Sequence, residues 1–449
     1  MSRFLEDFLH KDKISSLLCN KRLSVEASGR LAQNYAEIAT ALESLGHARN
    51  AHVRAVWVPG RIEVLGKHTD YAGGRSLLVA VERGFAVLVM PWEQREISVF
   101  DVVRGEMVSI DEQGQAERNA PAWAVYPQTT IKRLINNFGP IGQGGLIAFI
   151  SDLPVASGMS SSSAFIIATY LAIQTLFNFH ESTSFKSAVV DRAQLADYLG
   201  HVENGQTYKH LAGDRGVGTF GGSQDHTAIL CSRAQEIMHV GFGPTEVLGY
   251  TKLDDDTVFC IASSGVKAEK TEGAKLRYNQ ATSLASQVVD FWNQQNEMKS
   301  TDLATIVQSP SFEKESFLKR LKQHGHLAER FEQFYNETSI YIPAAIRALE
   351  NGNQLALGQV VAASQADAEE KLRNQIPETI YLAGAARELG AYAASAFGAG
   401  FGGAVWALVA KTRADQFLEN WSQAYAGKYP QHKEAEFFKD ETGPAAFVF

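Results

Sequence analysis

Residues 59–74 read Pro59-Gly60-Arg61-Ile62-Glu63-Val64-Leu65-Gly66-Lys67-His68-Thr69-Asp70-Tyr71-Ala72-Gly73-Gly74. Within ten residues the segment carries five charged or titratable groups, Arg61, Glu63, Lys67, His68 and Asp70, and it lies between two β-rich runs. Such a density is costly inside a sheet unless the groups line a pocket. A solvated loop is the plain alternative, and His68 taken alone reads as a hydrogen-bonded structural histidine.

The runs around this segment, RAVWV at 54–58, SLLVAV at 76–81, FAVLVM at 85–90 and REISVFDVV at 95–103, are separated by Pro-Gly and Gly-Gly breaks and predict a sheet. Upstream, apolar positions such as Leu31, Tyr35, Ile38 and Leu42 recur every three or four residues, so residues 1–50 are expected to form a helical cap. Downstream come a helix at 125–137, a strand at 145–150, a loop at 151–157 and a buried helix at 160–179. A helix is expected at 186–203, a strand at 254–263, mainly helices over 269–368, and a helix at 382–395 before a glycine-rich segment that runs into a β-like stretch. Mixed strands and helices in two blocks imply an α+β protein of two lobes, 51–245 and 246–449, behind the 1–50 cap.

Composition narrows the function classes. Lys and Arg number 42 against 50 Asp and Glu, a net charge of −8, which opposes nonspecific nucleic-acid binding while allowing a local site for a small anion. Cys19, Cys231 and Cys260 fit neither a disulfide framework nor a zinc motif, so a reducing, cytoplasmic setting is expected. The N-terminal stretch carries Glu6, Asp7 and Lys11 and reads as an amphipathic helix rather than a signal peptide. No run reaches the ~18 apolar residues of a membrane span. No membrane partner is expected, and the chain is expected to be a monomer or a weak homo-oligomer.

Three further segments carry chemistry. Leu153-Pro-Val-Ala-Ser-Gly-Met-Ser-Ser-Ser-Ser-Ala164 opens a helix, where unpaired N–H groups, small residues and hydroxyls make an anion cradle, phosphate being the natural occupant. Simple N-capping is the alternative, although it needs one serine rather than four. Gly221-Gly-Ser-Gln-Asp-His-Thr227 presents Asp225, which alone would read as an Asx turn. Gly398-Ala-Gly-Phe-Gly-Gly403 is a literal GxGxxG with Glu419 downstream. A dinucleotide fold needs a strand before and a helix after those glycines, whereas here a helical run is expected before and a β-like run after. A tight turn and a close backbone approach to substrate or phosphate are the remaining readings, and the second is preferred.

In this order the four segments resemble the GHMP small-molecule kinases, most closely the galactokinase branch. PGRIEVLGKHTDYAGG is similar to GR-x-N-L-I-G-E-H-T-D-Y-x-x-G, LPVASGMSSSSA to P-x-G-x-G-L-S-S-S-A, GGSQDH to G-I-M-D-Q, and GAGFGGA to the third family motif. The resemblance implies a two-lobed fold of mixed sheets and flanking helices with the active site between the lobes. It also implies transfer of the γ-phosphate of ATP to the anomeric hydroxyl of a monosaccharide. On it, Asp225 would be the base or its orienting partner, and Arg61 would stabilise the transferring phosphoryl group. Gly158, Ser160, Ser161 and Ser162 would cradle the ATP phosphates, and Ser161 with Glu203 would hold Mg²⁺. Glu63, Lys67, His68, Asp70, Gly222 and Gly402 would face the sugar.

This sequence departs from the pattern in places. Glu63 and Lys67 stand where galactokinases have Asn and Glu, which fits an acidic or otherwise altered sugar, or else a charge swap pairing Glu63 with Lys67. Residues 208–220 are more than the family usually has between its metal-binding Glu and its Asp. After Ser264-Gly-Val-Lys267 the expected S-E-Y is missing, so a second sugar contact is absent or replaced. A sugar- and ATP-binding regulator without turnover is the alternative function; Arg61, Asp225 and the serines favour the enzyme, because a pure sensor has no need of a base.

Overall fold

The computed structural model describes residues 3–154, 158–266 and 272–449, with side chains described in the last stretch from residue 276. Val155, Ala156 and Ser157 of the serine segment and Lys267 of the Ser264 segment lie outside the described residues.

Two helices, α1 (Lys11–Cys19) and α2 (Val25–Ser44), form the cap. Ser24 starts α2 by accepting a hydrogen bond from the Ala27 amide at 3.2 Å. The buried face of α2 runs through Leu31, Tyr35, Ile38 and Leu42, the periodicity read from the sequence. A short strand β1 (Arg3–Phe4) joins this region to β2 (His52–Leu65).

The first sheet continues through β3 (Arg75–Trp92), β4 (Ile97–Asp101), β5 (Glu106–Ile110) and β6 (Gly144–Ser151), in the order β1-β2-β3-β6-β4-β5. Alternate residues of its strands serve two cores. Val53, Ala55, Trp57 and Leu88 pack under the cap, while Val56, Val58, Val87 and Val89 pack on the other face. Both faces are covered, so the strands are apolar almost throughout rather than alternating. On that second face lie α3 (Val125–Phe138) and α4 (Ser161–Leu176); the middle of α4 is mainly apolar, and Phe165 to Ile173 are buried along it. Helices α5 (Thr183–Ala188), α6 (Arg192–Asn204) and α7 (Gln224–Cys231) complete the lobe. The single helix expected at 186–203 is thus two, because Asp191 caps a new start by accepting from the Gln194 amide at 2.8 Å.

The boundary expected at residue 245 needs correction. It falls inside the hairpin of β7 (Glu236–Gly241) and β8 (Glu246–Lys252), which is paired to β3 of the first sheet. The second sheet begins with β9 (Thr257–Ser263) and is wholly antiparallel, in the order β10-β11-β9-β12, with β10 (Ala393–Phe397), β11 (Ala404–Ala410) and β12 (Glu436–Asp440). The chain then returns to the first sheet through β13 (Thr442–Gly443) on β3 and β14 (Phe447–Val448) on β2.

Between β9 and β10 lies the helical block: α8 (Glu272–Gln295), α9 (Leu303–Gln308), α10 (Lys314–Leu321), α11 (Leu327–Tyr335), α12 (Ile342–Glu350), α13 (Gln354–Asp367) and α14 (Pro377–Glu388). The helix expected at 382–395 ends at Glu388. Ala393, Ala394 and Ala396 have helix-favouring side chains, but they are buried and paired to β11, and tertiary packing overrides propensity. With α15 (Ala414–Lys428), α14 covers the second sheet. Among the described residues no helix is long and apolar enough to cross a membrane.

Candidate active site

The inner end of β2, the starts of α4 and α7, and the β10–β11 loop converge on one cleft of about 860 Å³, counting its open mouth. At its floor Arg61 is buried and its Nε donates to Oδ1 of Asp225 at 2.7 Å. The same guanidinium donates to the Gly158 carbonyl, and it lies 5.9 Å from the ring centroid of Phe397. Asp225 is in the first turn of α7 and its side chain remains 30% exposed, so the ion pair leaves it reachable from the cleft.

The serine segment meets this floor from one side. Ser160 is the N-cap of α4 with a left-handed φ of 61°, it makes no capping bond, and its buried hydroxyl has no partner among the described residues. The first amides of α4 are therefore not claimed by the cap's side chain, the state an anion site requires. Gly158 and the glycine loop touch; a Cβ on Gly398 would come within 2.9 Å of the Gly158 carbonyl oxygen. Ser162 and Ser163 line the cleft, whereas Gly158, Ser160 and Ser161 are not among its lining residues. Glu203, at the end of α6, does line it, and its Oε2 accepts from Ser163 Oγ at 2.7 Å with His226 Nε2 3.2 Å away. The serine beside Glu203 is thus Ser163, not Ser161. The additional residues before Asp225 fold back on α6, with the Val217 amide on the Glu203 carbonyl at 2.8 Å, so they leave Glu203 in the cleft and add Thr219 to its wall.

On the other side stand the groups of the opening segment. Glu63 lines the cleft and its Oε2 accepts from Gln224 Nε2 at 2.8 Å, while Oε1 is buried without a partner among the described residues. Burial pushes its carboxyl up to about 7. Asp70 also lines the cleft; burial and then the nearby Asp225 raise its pKa. Gly222 is required beside it, since a Cβ there would lie 2.6 Å from Asp70 Oδ2. His68 is buried with both ring nitrogens engaged: Nε2 donates to the Ala399 carbonyl at 3.1 Å, so Nδ1 accepts from the Tyr71 hydroxyl at 2.8 Å. Burial, and then Arg330, push its pKa down to about 4, which keeps the ring neutral. It lines the cleft as a strut between two loops rather than as an open donor.

Lys67 departs most from expectation. It is 1% exposed, does not line the cleft, and points its ammonium into the protein at Ser395 Oγ (2.8 Å) and Ser364 Oγ (3.5 Å). Gly402 is likewise outside the lining set, and Gly398, Ala399, Gly400 and Phe401 form that wall instead. The GxGxxG does have a strand before it, contrary to expectation. It joins two antiparallel strands, with no helix after the glycines, so the dinucleotide reading fails on the second condition.

Sequence reasoning missed Tyr278, which enters the cleft from α8 with its ring centroid 5.2 Å from that of His68. Burial, then the charge of Asp70, raise its hydroxyl well above the usual tyrosine value. It lies eleven residues after Lys267, downstream of the segment where the expected S-E-Y is missing, and no local pattern marks it. Gln224 and His226 flank Asp225 and were within reach of the motif.

Three family profiles match the chain: GHMP kinases N terminal domain over residues 125–222, GHMP kinases C terminal over 345–427, and the galactokinase galactose-binding signature over 44–91. The chain belongs to the GHMP kinase family. Within the GHMP kinases it falls on the galactokinase-like branch. It is 27% identical over 387 residues to a galactokinase of Staphylococcus saprophyticus, covering 84% of this chain and 91% of that one. A galactokinase of Thermococcus kodakarensis is 27% identical over 378 residues, 84% and 95% of the two chains. The fold is similar to that of Lactococcus lactis galactokinase complexed with galactose, with a TM-score of 0.75, 22% identity, and coverage of 91% and 99%. The mevalonate kinase of L. major in complex with R-mevalonate is more distant at a TM-score of 0.53, 13% identity, and coverage of 87% and 96%.

A GHMP kinase has to hold a triphosphate, and the donor set can be judged on that requirement. Among the described residues no group of three or more His, Cys, Asp or Glu side chains is placed to hold a metal alone. A hard cation shared with phosphate needs only one or two carboxylates and hydroxyl oxygens. Glu203 with Ser162 and Ser163 supplies that set on the α4 side of this GHMP kinase.

Proposed function

We propose that this GHMP kinase transfers the γ-phosphoryl group of ATP to the anomeric hydroxyl of a neutral monosaccharide, galactose or a close relative. The observation that carries the reading is the Arg61–Asp225 pair, buried on one side and open on the other, between an anion-accepting helix start and a wall of polar groups.

A sugar hydroxyl against Asp225 would be oriented by the second carboxylate oxygen and would pass its proton there as the new phosphorus–oxygen bond forms and the bond from the γ-phosphorus to the leaving ADP breaks. Arg61 is fixed by Asp225 and the Gly158 carbonyl, so its charge already stands where the transferring group becomes more negative. The phosphates rest on the start of α4 with Ser162. Glu203 with Ser162 or Ser163 would hold Mg²⁺, which would supply Lewis-acid neutralisation of phosphate charge.

The sugar side is carried by Asp70, Glu63, Tyr278 and the backbone of the glycine loop. An acidic sugar loses its support, since Lys67 faces the interior and the cleft is lined by Glu63, Asp70, Glu203 and Asp225. A uronate carboxylate would meet like charge there. The test is ADP release across neutral, amino and acidic sugars. Turnover of a neutral sugar with no response to its uronate is expected; binding without turnover for every sugar would leave the regulator as the function.

A further inference from the structure

The loop that carries His68 and Asp70 is held from behind by one face of a helix. Arg330 and Gln333 lie on α11, and Glu337 follows in the π-helical turn Asn336–Tyr341 that continues it, a spacing of three and seven residues that aligns side chains on a helix. Each takes one backbone group of the loop in turn. Glu337 Oε1 accepts from the Gly66 amide at 2.7 Å, Gln333 Nε2 donates to the Lys67 carbonyl at 3.0 Å, and Arg330 Nη2 donates to the His68 carbonyl at 2.6 Å. Arg330 also donates to Gln333 Oε1 at 2.7 Å and reaches the Tyr71 hydroxyl at 3.4 Å, the group that donates to His68 Nδ1.

All three side chains are at most 1% exposed, so Glu337 is a buried carboxylate in want of a counter-charge. Ser364 Oγ donates to its Oε2 at 2.8 Å and is in turn 3.5 Å from Lys67 Nζ. The ammonium is thus set behind the loop, one hydroxyl away from Glu337. Glu63 is buried nearby as well and feels the same ammonium, with Lys67 and then Arg61 opposing the effect of burial on its carboxyl.

We propose that Arg330, Gln333 and Glu337 are positioning residues that fix the backbone of the substrate-facing loop, and that Lys67 is the internal counter-ion of this stripe rather than a reader of the substrate. The inference rests on the sugar-kinase reading for what the loop faces, but not for the charge pairing. It accounts for a lysine in a segment whose other charged groups line the cleft: removing the ammonium would strand Glu337, and removing both charges would not.

The experiment uses the full chain, galactose as probe, and the variants Lys67→Met, Glu337→Gln and their double. Each single variant is expected to lower the urea unfolding midpoint and to weaken galactose binding about tenfold or more, with ATP affinity within about twofold of wild type by calorimetry. The double variant should recover most of both losses. Additive losses in the double, or a Lys67→Met protein that keeps its midpoint but reorders its sugar preferences, would overturn the proposal. If a single variant does not fold, the double alone decides: folded supports the pairing, unfolded refutes it. Gln333→Leu tests the stripe without changing charge, and should raise the galactose KM several-fold with kcat and ATP KM held; an unmoved galactose KM counts against it. If wild type binds no galactose, the sugar reading falls, and the unfolding midpoints still judge whether Lys67 and Glu337 compensate one another.

Discussion

Arg61 and Lys67 stand six residues apart in one segment, and both are almost wholly buried, yet the two ends of that segment use their cations in opposite ways. At the Arg61 end the guanidinium meets Asp225 at the cleft floor, within reach of a ligand. At the Lys67 end the ammonium meets serines of α13 and β10 on the far side of the loop. The difference comes from the backbone. Arg61 and Glu63 are alternate residues of β2 and share one face. Gly66, at a φ of 112°, then turns the chain, and a Cβ there would collide with Ser76. A charge in a functional motif is therefore not evidence of contact with substrate until the turn that precedes it is known.

The strongest way to break the contrast is at the Arg61 end. Asp225→Asn is expected to lower turnover by about a thousandfold, within the range of lost general-base catalysis, with ATP affinity nearly unchanged. ADP release and nucleotide calorimetry check it, and an equal loss in both would move Asp225 out of the chemistry. Arg61→Lys keeps the charge but not the rigid fork that holds Asp225 and the Gly158 carbonyl together, and should cost about a hundredfold in kcat.

Glu63 lies between the two ends and its test is one of pH. Its carboxyl titrates at about 7 in the folded chain, above the ordinary value of 4.5, so the native state binds the extra proton between those values. The stability that this group contributes is full below about pH 4.5 and is lost as pH rises toward 7. Glu63→Gln should therefore gain on wild type by about 3 kcal/mol between pH 4.5 and pH 8 in urea unfolding. A constant difference would show a carboxyl that titrates as in water. The smallest effect is expected at the Lys67 end, where Ser395→Ala removes one acceptor from the buried ammonium and should cost about 2 kcal/mol of stability with kcat unchanged.

The motif residues that the sequence marked out did converge: Arg61, Glu63, His68, Asp70, Gly222, Asp225 and Glu203 all line one cleft. Arg61, Glu63, His68 and Asp70 could be read from the density of titratable groups in one segment, whereas Gly222, Asp225 and Glu203 were legible only through the resemblance that the four segments carry together. Lys67 could not be read in that way, because its partners Ser364 and Ser395 are about three hundred residues away and carry no motif. Tyr278 was hidden for a related reason: an aromatic on an amphipathic helix looks like core until the facing His68 is known. The strand at Ala393–Phe397 was masked by alanines whose intrinsic preference is helical, and Ser163 rather than the expected Ser161 meets Glu203 because of a helical rotation that only α4 in place fixes.

The return of the chain to the first sheet has a consequence for how the molecule comes to exist. Phe447 pairs with Trp57 and Thr442 with Val81, contacts separated by most of the sequence. During synthesis the N-terminal strands emerge long before the segments that complete them, so β2 waits with part of its outer edge bare, a ready template for pairing with other chains. Native assembly of the catalytic lobe is thereby tied to the arrival of β13 and β14, and a chain stopped short of them would lack the last strands of the sheet that carries Arg61.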